Sequence, residues 1–265
     1  MRDLPNDGAA EMPPGKALRR DTWVRRLVRS ILPCLWTSLF KGTLVLVVAA
    51  LIPTFIVGGA LLVMRTVDPP GSALILAHHL SGASVDQRWV PLREISPNLV
   101  RAVIASEDNQ FCRHNGVDLR ELEVVLEQLE LAGEDGTRGG STITMQVAKN
   151  MFLWSARSYI RKAIELPIAY GTEKLWTKRR IMEVYLNIAE WGPGVFGAEA
   201  AARHHFRKPA SRLTEREAAL LAVALPNPGL RVPSRPTQHV LKVAGVVERR
   251  ARLVGPRAGC VLYSN

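Results

Sequence analysis

The most regular feature of the hydrophobic pattern is an uninterrupted apolar run near the start of the chain. Gly42 to Met64 contains no charged side chain and is dominated by Val, Leu, Ile and Ala. As a helix, this run would reach about 35 Å, more than the roughly 30 Å hydrocarbon core of a bilayer. The alternative, a cleaved signal peptide, would have a shorter apolar region and a small-residue cleavage site. The pattern therefore favours one retained transmembrane helix.

After this run, apolar residues recur at helical spacing, so the rest of the chain is predicted to be mostly α. Ser96-Pro97 is typical of a helix start, and the helix is expected to end at Ser106–Asp108. Further helices are predicted from the Asp118–Glu121 capping box, with the stripe Leu122, Val125, Leu126 and Leu129; from Ser141 to about Met151; after Thr177; and from the Thr214–Glu217 capping box to Pro226. A short strand is expected at 87–92, a turn at 68–71, a loop at 133–140 and disorder at 1–15.

Charge gives the apolar helix an orientation. Eight basic and four acidic residues precede it. Because basic flanks stay in the cytoplasm, the sequence predicts three parts: a cytoplasmic basic segment at 1–41, a transmembrane helix at 42–64, and an extracytoplasmic domain at 65–265. The last part is long enough for one domain with its own core.

The whole chain carries a formal net charge of +11, with a pI near 10.1. Nucleic acid is a common partner of such basic chains, but a domain directed out of the cell would not meet it. Anionic lipid headgroups or a phosphorylated substrate fit this charge better. Of the three cysteines, Cys34 lies before the span, whereas Cys112 and Cys260 could pair outside the cell; the sequence leaves that open.

The first candidate for chemistry is the segment Glu107–Asp118, which sets acids, His114 and a turn glycine between two predicted helices. Glu107 follows an apolar helix end, where burial would raise its pKa towards the working range of a general base. The structural alternative is that Glu107 or Asp108 caps the backbone amides of residues 115–119.

The second candidate is a glycine-led helix start at 139–150. Its exposed amides and helix dipole would be receptive to phosphate, with Ser141, Thr142 and Lys149 adding donors and charge. The lysine spacing is not that of a Walker loop. An ordinary capped helix is the alternative.

The third candidate is a set of charges at helical spacing: Arg157, Arg161, Lys162 and Glu165. Fixed cations of this kind could clamp a pyrophosphate leaving group. The alternative is a solvated helix face with internal ion pairs. The block Glu183–Gly197 is expected to be mainly architectural, and the pairs His78-His79 and His204-His205 lack further ligands for a metal.

In this order, the blocks closely resemble the five motifs of the peptidoglycan glycosyltransferases of family 51, above all the monofunctional biosynthetic members. The likeness covers roughly residues 85–230. The motifs correspond to Glu107–Asp118, Gly140–Asn150, Arg161–Glu165, Glu183–Gly197 and Leu213–Pro228. Five motifs in order are far more specific than any one of them.

The resemblance implies a lysozyme-like, mostly helical fold with a membrane-embedded apolar edge, in a single-pass protein of the cytoplasmic (inner) membrane whose enzyme domain is periplasmic. It implies that Glu107 is the base that deprotonates the acceptor's 4-hydroxyl. Glu165, Lys149, Arg157, Arg161 and Lys162 would bind or assist the pyrophosphate, and Ser141, Thr142, Gln146 and Asn150 would line the donor site. Lipid II, the growing glycan strand, membrane lipids and wall-synthesis or division proteins are the implied partners, with Mg²⁺ or Mn²⁺ at the pyrophosphate.

Two positions depart from the family pattern. Met145 stands where many members have a glutamine, which would alter a hydrogen bond in the donor site, and His204-His205 precede Phe206. The implied reaction is a single displacement that inverts an α-linked donor into a β-1,4 product. It parallels inverting glycosidases, with a sugar hydroxyl in the place of water.

Two other classes of function remain as alternatives: a lysozyme-like hydrolase that cleaves glycan, and a non-catalytic membrane scaffold. A hydrolase would have no use for the cationic face, and a scaffold would not need Glu107 and Glu165. The Ser-x-x-Lys pattern at Ser38–Lys41 lies at the membrane boundary, with no transpeptidase domain after it, and is interpreted as coincidence.

Overall fold

The computed structural model describes residues 20–118, 140–156 and 158–263. It is mostly helical, as predicted. Contacts divide the chain into two compact units, one ending at Phe55 and the other beginning at Ile56. The predicted disorder at 1–15 and loop residues 133–139 lie outside the described residues, as do Glu121 and the stripe that follows it.

The first element is a long helix, α1 (Arg20–Met64). Its segment Phe40–Met64 is long and apolar enough to cross a membrane, with a mean hydropathy of 2.6. Most of the large apolar side chains in that segment are exposed, as expected for a surface that faces lipid rather than a protein core. The observed helix includes the predicted span, Gly42–Met64.

The second unit contains nine further helices among the described residues. They are α2 (Ala73–Leu80), α3 (Pro97–Glu107), α4 (Ile143–Phe152), α5 (Tyr159–Leu175), α6 (Lys178–Ile188), α7 (Ala198–Phe206), α8 (Glu215–Ala224), α9 (Gln238–Leu253) and α10 (Gly259–Leu262). Short 3-10 turns lie at Leu92–Glu94, Ala210–Arg212 and Gly255–Ala258.

Side-chain caps explain where several of these helices begin. Ser96, Thr177 and Thr214 each accept a hydrogen bond from an amide in the first turn, which satisfies a donor that the helix itself leaves free. The predicted capping box of Thr214 and Glu217 is confirmed. The prediction that Ser141 opens α4 is wrong by one residue, because Thr142 is the N-cap.

The strands are few and short: β1 (Asp86–Gln87), β2 (Glu190–Gly192) and β3 (Val195–Phe196). They form one sheet in the order β1-β3-β2, in which β1 runs parallel and β2 antiparallel to β3. The predicted strand at 87–92 is therefore wrong in extent, because pairing ends at Gln87. Helix α2 was not predicted, since the segment Ala73–Leu80 shows no polar face at helical spacing.

The core lies where α3 and α6 are packed among the other helices. Helix α3 packs against α8 and α9, and α4 packs against α5 and α6. Leu99 and Ile104 on α3 and Tyr185 and Leu186 on α6 are fully buried. Two of the helices that carry candidate residues, α3 and α4, are therefore packed against the core.

Two links hold the ends of the second unit. Near its start, the Trp176 indole donates to the carbonyl of Leu61 over 2.7 Å, and the Arg180 guanidinium donates to the carbonyls of Met64 (3.0 Å) and Val67 (2.7 Å). At the other end, Cys112 and Cys260 form a disulfide, which answers the question that the sequence left open.

Candidate active site

Glu107 is the last residue of α3, and its carboxyl group lies in a largely buried position. Burial raises the pKa of this carboxyl, because the charged form loses its hydration. Three interactions oppose the rise: the Gln146 amide donates to Oε2 over 3.0 Å, the Ser106 hydroxyl donates to Oε1 over 3.4 Å, and the positive charge of Arg231 acts on the carboxyl. The nearby charge of Asp108 adds to the rise. The balance is that of a carboxylate able to accept a proton.

The donor that reaches Glu107 is itself held in place. The Tyr185 hydroxyl donates to Oε1 of Gln146 over 3.0 Å, so the amide NH₂ of Gln146 faces Glu107. Tyr185 is fully buried, which raises its pKa well above the usual value and keeps it a neutral donor. A chain of hydrogen bonds thus links α6, α4 and the end of α3.

Asp108 has a different role from its neighbour. It is buried, its carboxylate accepts from His114 Nε2 at 2.8 Å and 3.0 Å, and Oδ2 also accepts from the backbone amide of Ile143 at 3.0 Å. The amide of Gly116 donates to His114 Nδ1 over 3.2 Å, so the ring presents its Nε2–H to Asp108. Asp108 therefore ties the end of α3 to the start of α4. The structural alternative, in which Glu107 or Asp108 caps the amides of residues 115–119, includes residue 119, which lies outside the described residues; the backbone amide from which Asp108 accepts is that of Ile143.

Helix α4 begins with its amides already engaged. The Ile143 amide donates to Asp108, and the Met145 amide donates to the Thr142 hydroxyl over 3.1 Å. Thr142 is only 2% exposed and also donates to the carbonyl of Gly116 over 2.5 Å. The Ile143 and Met145 amides and the Thr142 hydroxyl thus have partners within the protein. That phosphate binds at this helix start and that Thr142 lines the donor site stay predictions.

The cations predicted to hold the leaving group lie on α4 and α5. The Arg161 guanidinium pairs with Oε1 of Glu165 and donates from Nε to the carbonyl of Ala156 over 2.9 Å. The Lys162 ammonium lies 3.3 Å from Oε2 of Glu165 and donates to the Ser141 hydroxyl over 2.7 Å. Glu165, 2% exposed, therefore orients both cations. The expected helix-internal ion pair is present, but it is buried, so the alternative of a solvated face is wrong.

Electrostatic interactions connect these cations with Glu107. Burial lowers the pKa of Lys149, the charge of Arg161 lowers it further, and the negative charge of Glu107 opposes both effects. Burial, Arg161 and Lys149 together lower the pKa of Lys162 to about 8. Lys149 thus interacts with the carboxylate on one side and with Arg161 on the other. The structure brings together Glu107, Gln146, Lys149, Arg161, Lys162 and Glu165, while Arg157 lies outside the described residues.

Two predicted donor-site positions are buried. Asn150 is 8% exposed. Met145 packs in a small apolar cluster with Ala148 and Ala169, between α4 and α5. The side chain of Met145 therefore belongs to the core, and the expected effect of residue 145 on a hydrogen bond in the donor site stays a prediction.

A second polar network, which the sequence did not reveal, lies behind these residues. Oε1 of Glu173 accepts from the Thr144 hydroxyl over 2.6 Å and from the Lys178 ammonium over 2.7 Å. Lys178 also donates to the carbonyl of His114 over 2.8 Å. One carboxylate on α5 thus joins α4, α6 and the loop after α3. No local pattern marks it, since its partners are far apart in the sequence.

The donor set does not suit a divalent cation. Among the described residues, no group of three His, Cys, Asp or Glu side chains could hold a metal ion. Glu165, the carboxylate beside Arg161 and Lys162, is engaged by both. His205 is a core histidine: it is buried and its Nε2 lies 3.1 Å from the carbonyl of Trp191.

Comparison with known proteins agrees with this geometry. The family model described as transglycosylase matches residues 75–254. A biosynthetic peptidoglycan transglycosylase of Agrobacterium fabrum is 54% identical over 193 residues, which is 73% of this chain and 84% of the relative. Relatives of the same name from Brucella suis and Mesorhizobium japonicum are each 47% identical; the alignments cover 86% and 93% of this chain and 100% and 95% of the relatives.

The family model covers more than half of the chain. The matched region includes Glu107, its amide donor Gln146 and the ion pair of Arg161 with Glu165. The chain therefore belongs to the transglycosylase family and is a glycosyltransferase.

Proposed function

We propose that this enzyme polymerises lipid II, the undecaprenyl pyrophosphate-linked disaccharide, into β-1,4-linked peptidoglycan strands and releases undecaprenyl pyrophosphate. The observation that carries the proposal is the joint position of Gln146 and Lys149 on α4. One turn apart, they face the same way, and one donates to Glu107 while the other interacts with both Glu107 and Arg161. Helix α4 thus supplies both the amide that orients the proton acceptor, Glu107, and a cation that could bind an anion.

In the proposed reaction, Glu107 removes the proton from the 4-hydroxyl of the acceptor sugar as that oxygen attacks the anomeric carbon of the donor. The bond between this carbon and the pyrophosphate oxygen breaks, and its electron pair leaves with the pyrophosphate. Attack from the face opposite the leaving group inverts the α-linked donor into a β-linked product. Burial supports the role of Glu107, because it raises the pKa of the carboxyl and so its affinity for a proton.

The departing pyrophosphate gains negative charge as the bond breaks, and oriented cations stabilise that charge. Arg161 and Lys162 would supply the positive charge from α5, and Lys149 would supply it from α4. Glu165 would act by holding Arg161 and Lys162 in place, because it contacts both. Ser141 would help to position Lys162, because its hydroxyl accepts a hydrogen bond from the Lys162 ammonium.

The alternative of a glycan hydrolase is less well supported. An inverting hydrolase needs a second carboxyl group as a general acid, about 6.5–9.5 Å from the base. Asp108, which follows Glu107 directly, accepts from both His114 and the Ile143 amide and so is engaged within the protein. A non-catalytic scaffold would have no need for the buried ion pair of Glu165 and Arg161, an arrangement that costs stability.

We further propose that residues 1–41 are cytoplasmic, 42–64 span the inner membrane and 65–265 are periplasmic. The apolar segment Phe40–Met64 and the basic residues before it support this orientation. The disulfide between Cys112 and Cys260 supports it independently, because disulfides persist in oxidising compartments such as the periplasm. Confinement to the membrane would also raise the effective concentration of a lipid-borne substrate.

The test is polymerisation of purified lipid II by the full chain in detergent. We expect Glu107→Gln to lose nearly all polymer and Glu165→Gln to lose most of it. Glu94→Gln is the matched control, since Glu94 is exposed and its ion pair with Arg93 lies at the surface. Normal polymer from Glu107→Gln would refute the assignment of the base, and glycan fragments without polymer from the wild type would favour a hydrolase.

A further inference from the structure

The C-terminal end of the described chain returns to the loop that follows Glu107. We define the C-terminal clasp as residues 255–262, which comprise the Gly255–Ala258 turn and helix α10. Ala258 and Val261 are fully buried in the main core, so the clasp is a packed part of the domain. The disulfide attaches it to Cys112, 148 residues earlier in the sequence.

The clasp makes further contacts on either side of this disulfide. The Arg257 guanidinium donates to the side-chain oxygen of Asn109 over 3.2 Å, so the clasp holds the loop at residues 109 and 112. The carbonyl of Val261 accepts from the Arg179 guanidinium over 2.9 Å, which fixes the clasp itself to α6. The loop is thus connected through the clasp to a core helix.

The loop held in this way adjoins the base and contacts its neighbour, Asp108. It begins directly after Glu107 and Asp108, and it contains His114, which pairs with Asp108. Between them, Phe111 is fully buried, with the Lys178 ammonium 4.4 Å from its ring centroid. A shift of Cys112 would therefore be transmitted through Phe111 and His114 to Asp108, and so to the end of α3.

We propose that the clasp, locked by the Cys112–Cys260 disulfide, is a positioning element for Glu107, and that the transferase reaches its full turnover only when this disulfide is formed. The inference rests on the proposed function. The pyrophosphate-binding cations lie on α4 and α5, whereas the clasp contacts the loop after α3 and helix α6. Loss of the clasp should therefore lower kcat far more than it raises KM.

The consequence for the cell is a coupling of activity to export. In a reducing compartment, the two cysteines would be thiols and the loop would lack its covalent hold. On oxidation, two electrons and two protons pass from the thiol pair to a disulfide-containing oxidant, which is reduced to its thiols; a dithiol such as dithiothreitol reverses the step as it forms its own disulfide. Both cysteines are only partly buried, so a small reductant can reach them.

The experiment compares the oxidised full chain, the same protein after dithiothreitol, and the double variant Cys112→Ser with Cys260→Ser. Polymerisation of lipid II is measured well below the melting temperature of the reduced protein, so that loss of folding does not enter. We expect kcat to fall about tenfold to a hundredfold on reduction and in the double variant, the size of effect seen when a catalytic group is displaced by about 1 Å. KM should stay nearly constant, and reoxidation should restore the wild type alone.

Two variants sharpen the test. Cys34→Ser is the control, because it removes the third cysteine and should behave as the wild type in both redox states. Arg257→Gln removes the polar contact with Asn109 but keeps the disulfide, so it should lower kcat mainly in the reduced protein. Equal kcat for the oxidised and reduced wild type would overturn the proposal. A wild type that makes no polymer when oxidised would instead refute the proposed function.

Discussion

The contact between Gln146 and Glu107 allows a quantitative prediction for Gln146→Ala. Burial raises the pKa of the Glu107 carboxyl, and the hydrogen bond from Gln146 is the largest interaction that opposes this rise. The amide N–H stabilises the charged carboxylate, so its removal favours the protonated form. A base that is protonated cannot accept a proton from the acceptor hydroxyl, and higher pH is needed to restore it.

The size of the effect follows from the charge of the acceptor. A hydrogen bond to a charged group contributes about 1.5–3 kcal/mol. At about 1.36 kcal/mol per pH unit, the acid limb of kcat/KM should move up by about one to two pH units. Below this limb, activity should fall about tenfold to a hundredfold, and much of it should return at high pH. Tyr185→Phe, which leaves Gln146 in place but frees its orientation, should produce a smaller shift in the same direction.

The assay is the initial rate of polymerisation of lipid II across a pH series that covers both limbs. Gln238→Ala serves as the control, because Gln238 is an exposed residue in the first turn of α9 and should leave the profile unchanged. A uniform loss of activity at every pH, with an unmoved acid limb, would show that Gln146 binds substrate rather than adjusting the base. An unchanged rate would show that the contact has no part in catalysis.

Three further predictions follow from the charged groups of the site. Because the folded-state pKa of Glu107 is raised above the ordinary value of 4.5, its carboxyl costs stability as pH rises beyond that value. Glu107→Gln should therefore melt at a higher temperature than the wild type at pH 7 and at the same temperature below pH 4.5, and an equal melting temperature at pH 7 would contradict this. Burial and nearby cations lower the pKa of Lys162 to about 8, so kcat/KM should decline as pH rises through 8 and the ammonium loses its charge. Lys162→Arg should abolish that decline in the pH profile, and persistence of the decline would assign it to another group. Arg231→Gln removes a positive charge that favours ionised Glu107, so the acid limb should move up by less than in Gln146→Ala, whereas a downward shift would contradict the interaction.

Much of the second unit could be predicted because its signals are local. A cap such as Ser96 acts on an amide two residues away, and the box of Thr214 and Glu217 closes within three residues. The length of the apolar run 42–64 is enough by itself to predict a helix that could cross a membrane. The candidate residues Glu107, Gln146, Lys149, Arg161, Lys162 and Glu165 were predicted from the order of the motifs together with their resemblance to a known family.

Other features depend on which segments meet, and no local pattern contains that information. Asp108 accepts a hydrogen bond from the amide of Ile143, which lies 35 residues later in the sequence. Cys112 forms a disulfide with Cys260, which lies 148 residues later. Packing also decided that Met145 is a core residue and that the amides at the start of α4 are taken by the protein's own groups. The chain by itself determined an apolar segment long enough to cross a membrane, the helix starts and the types of group available for chemistry. Only the tertiary structure decided which of them are buried together, because burial and long-range hydrogen bonds exist only once the helices have packed.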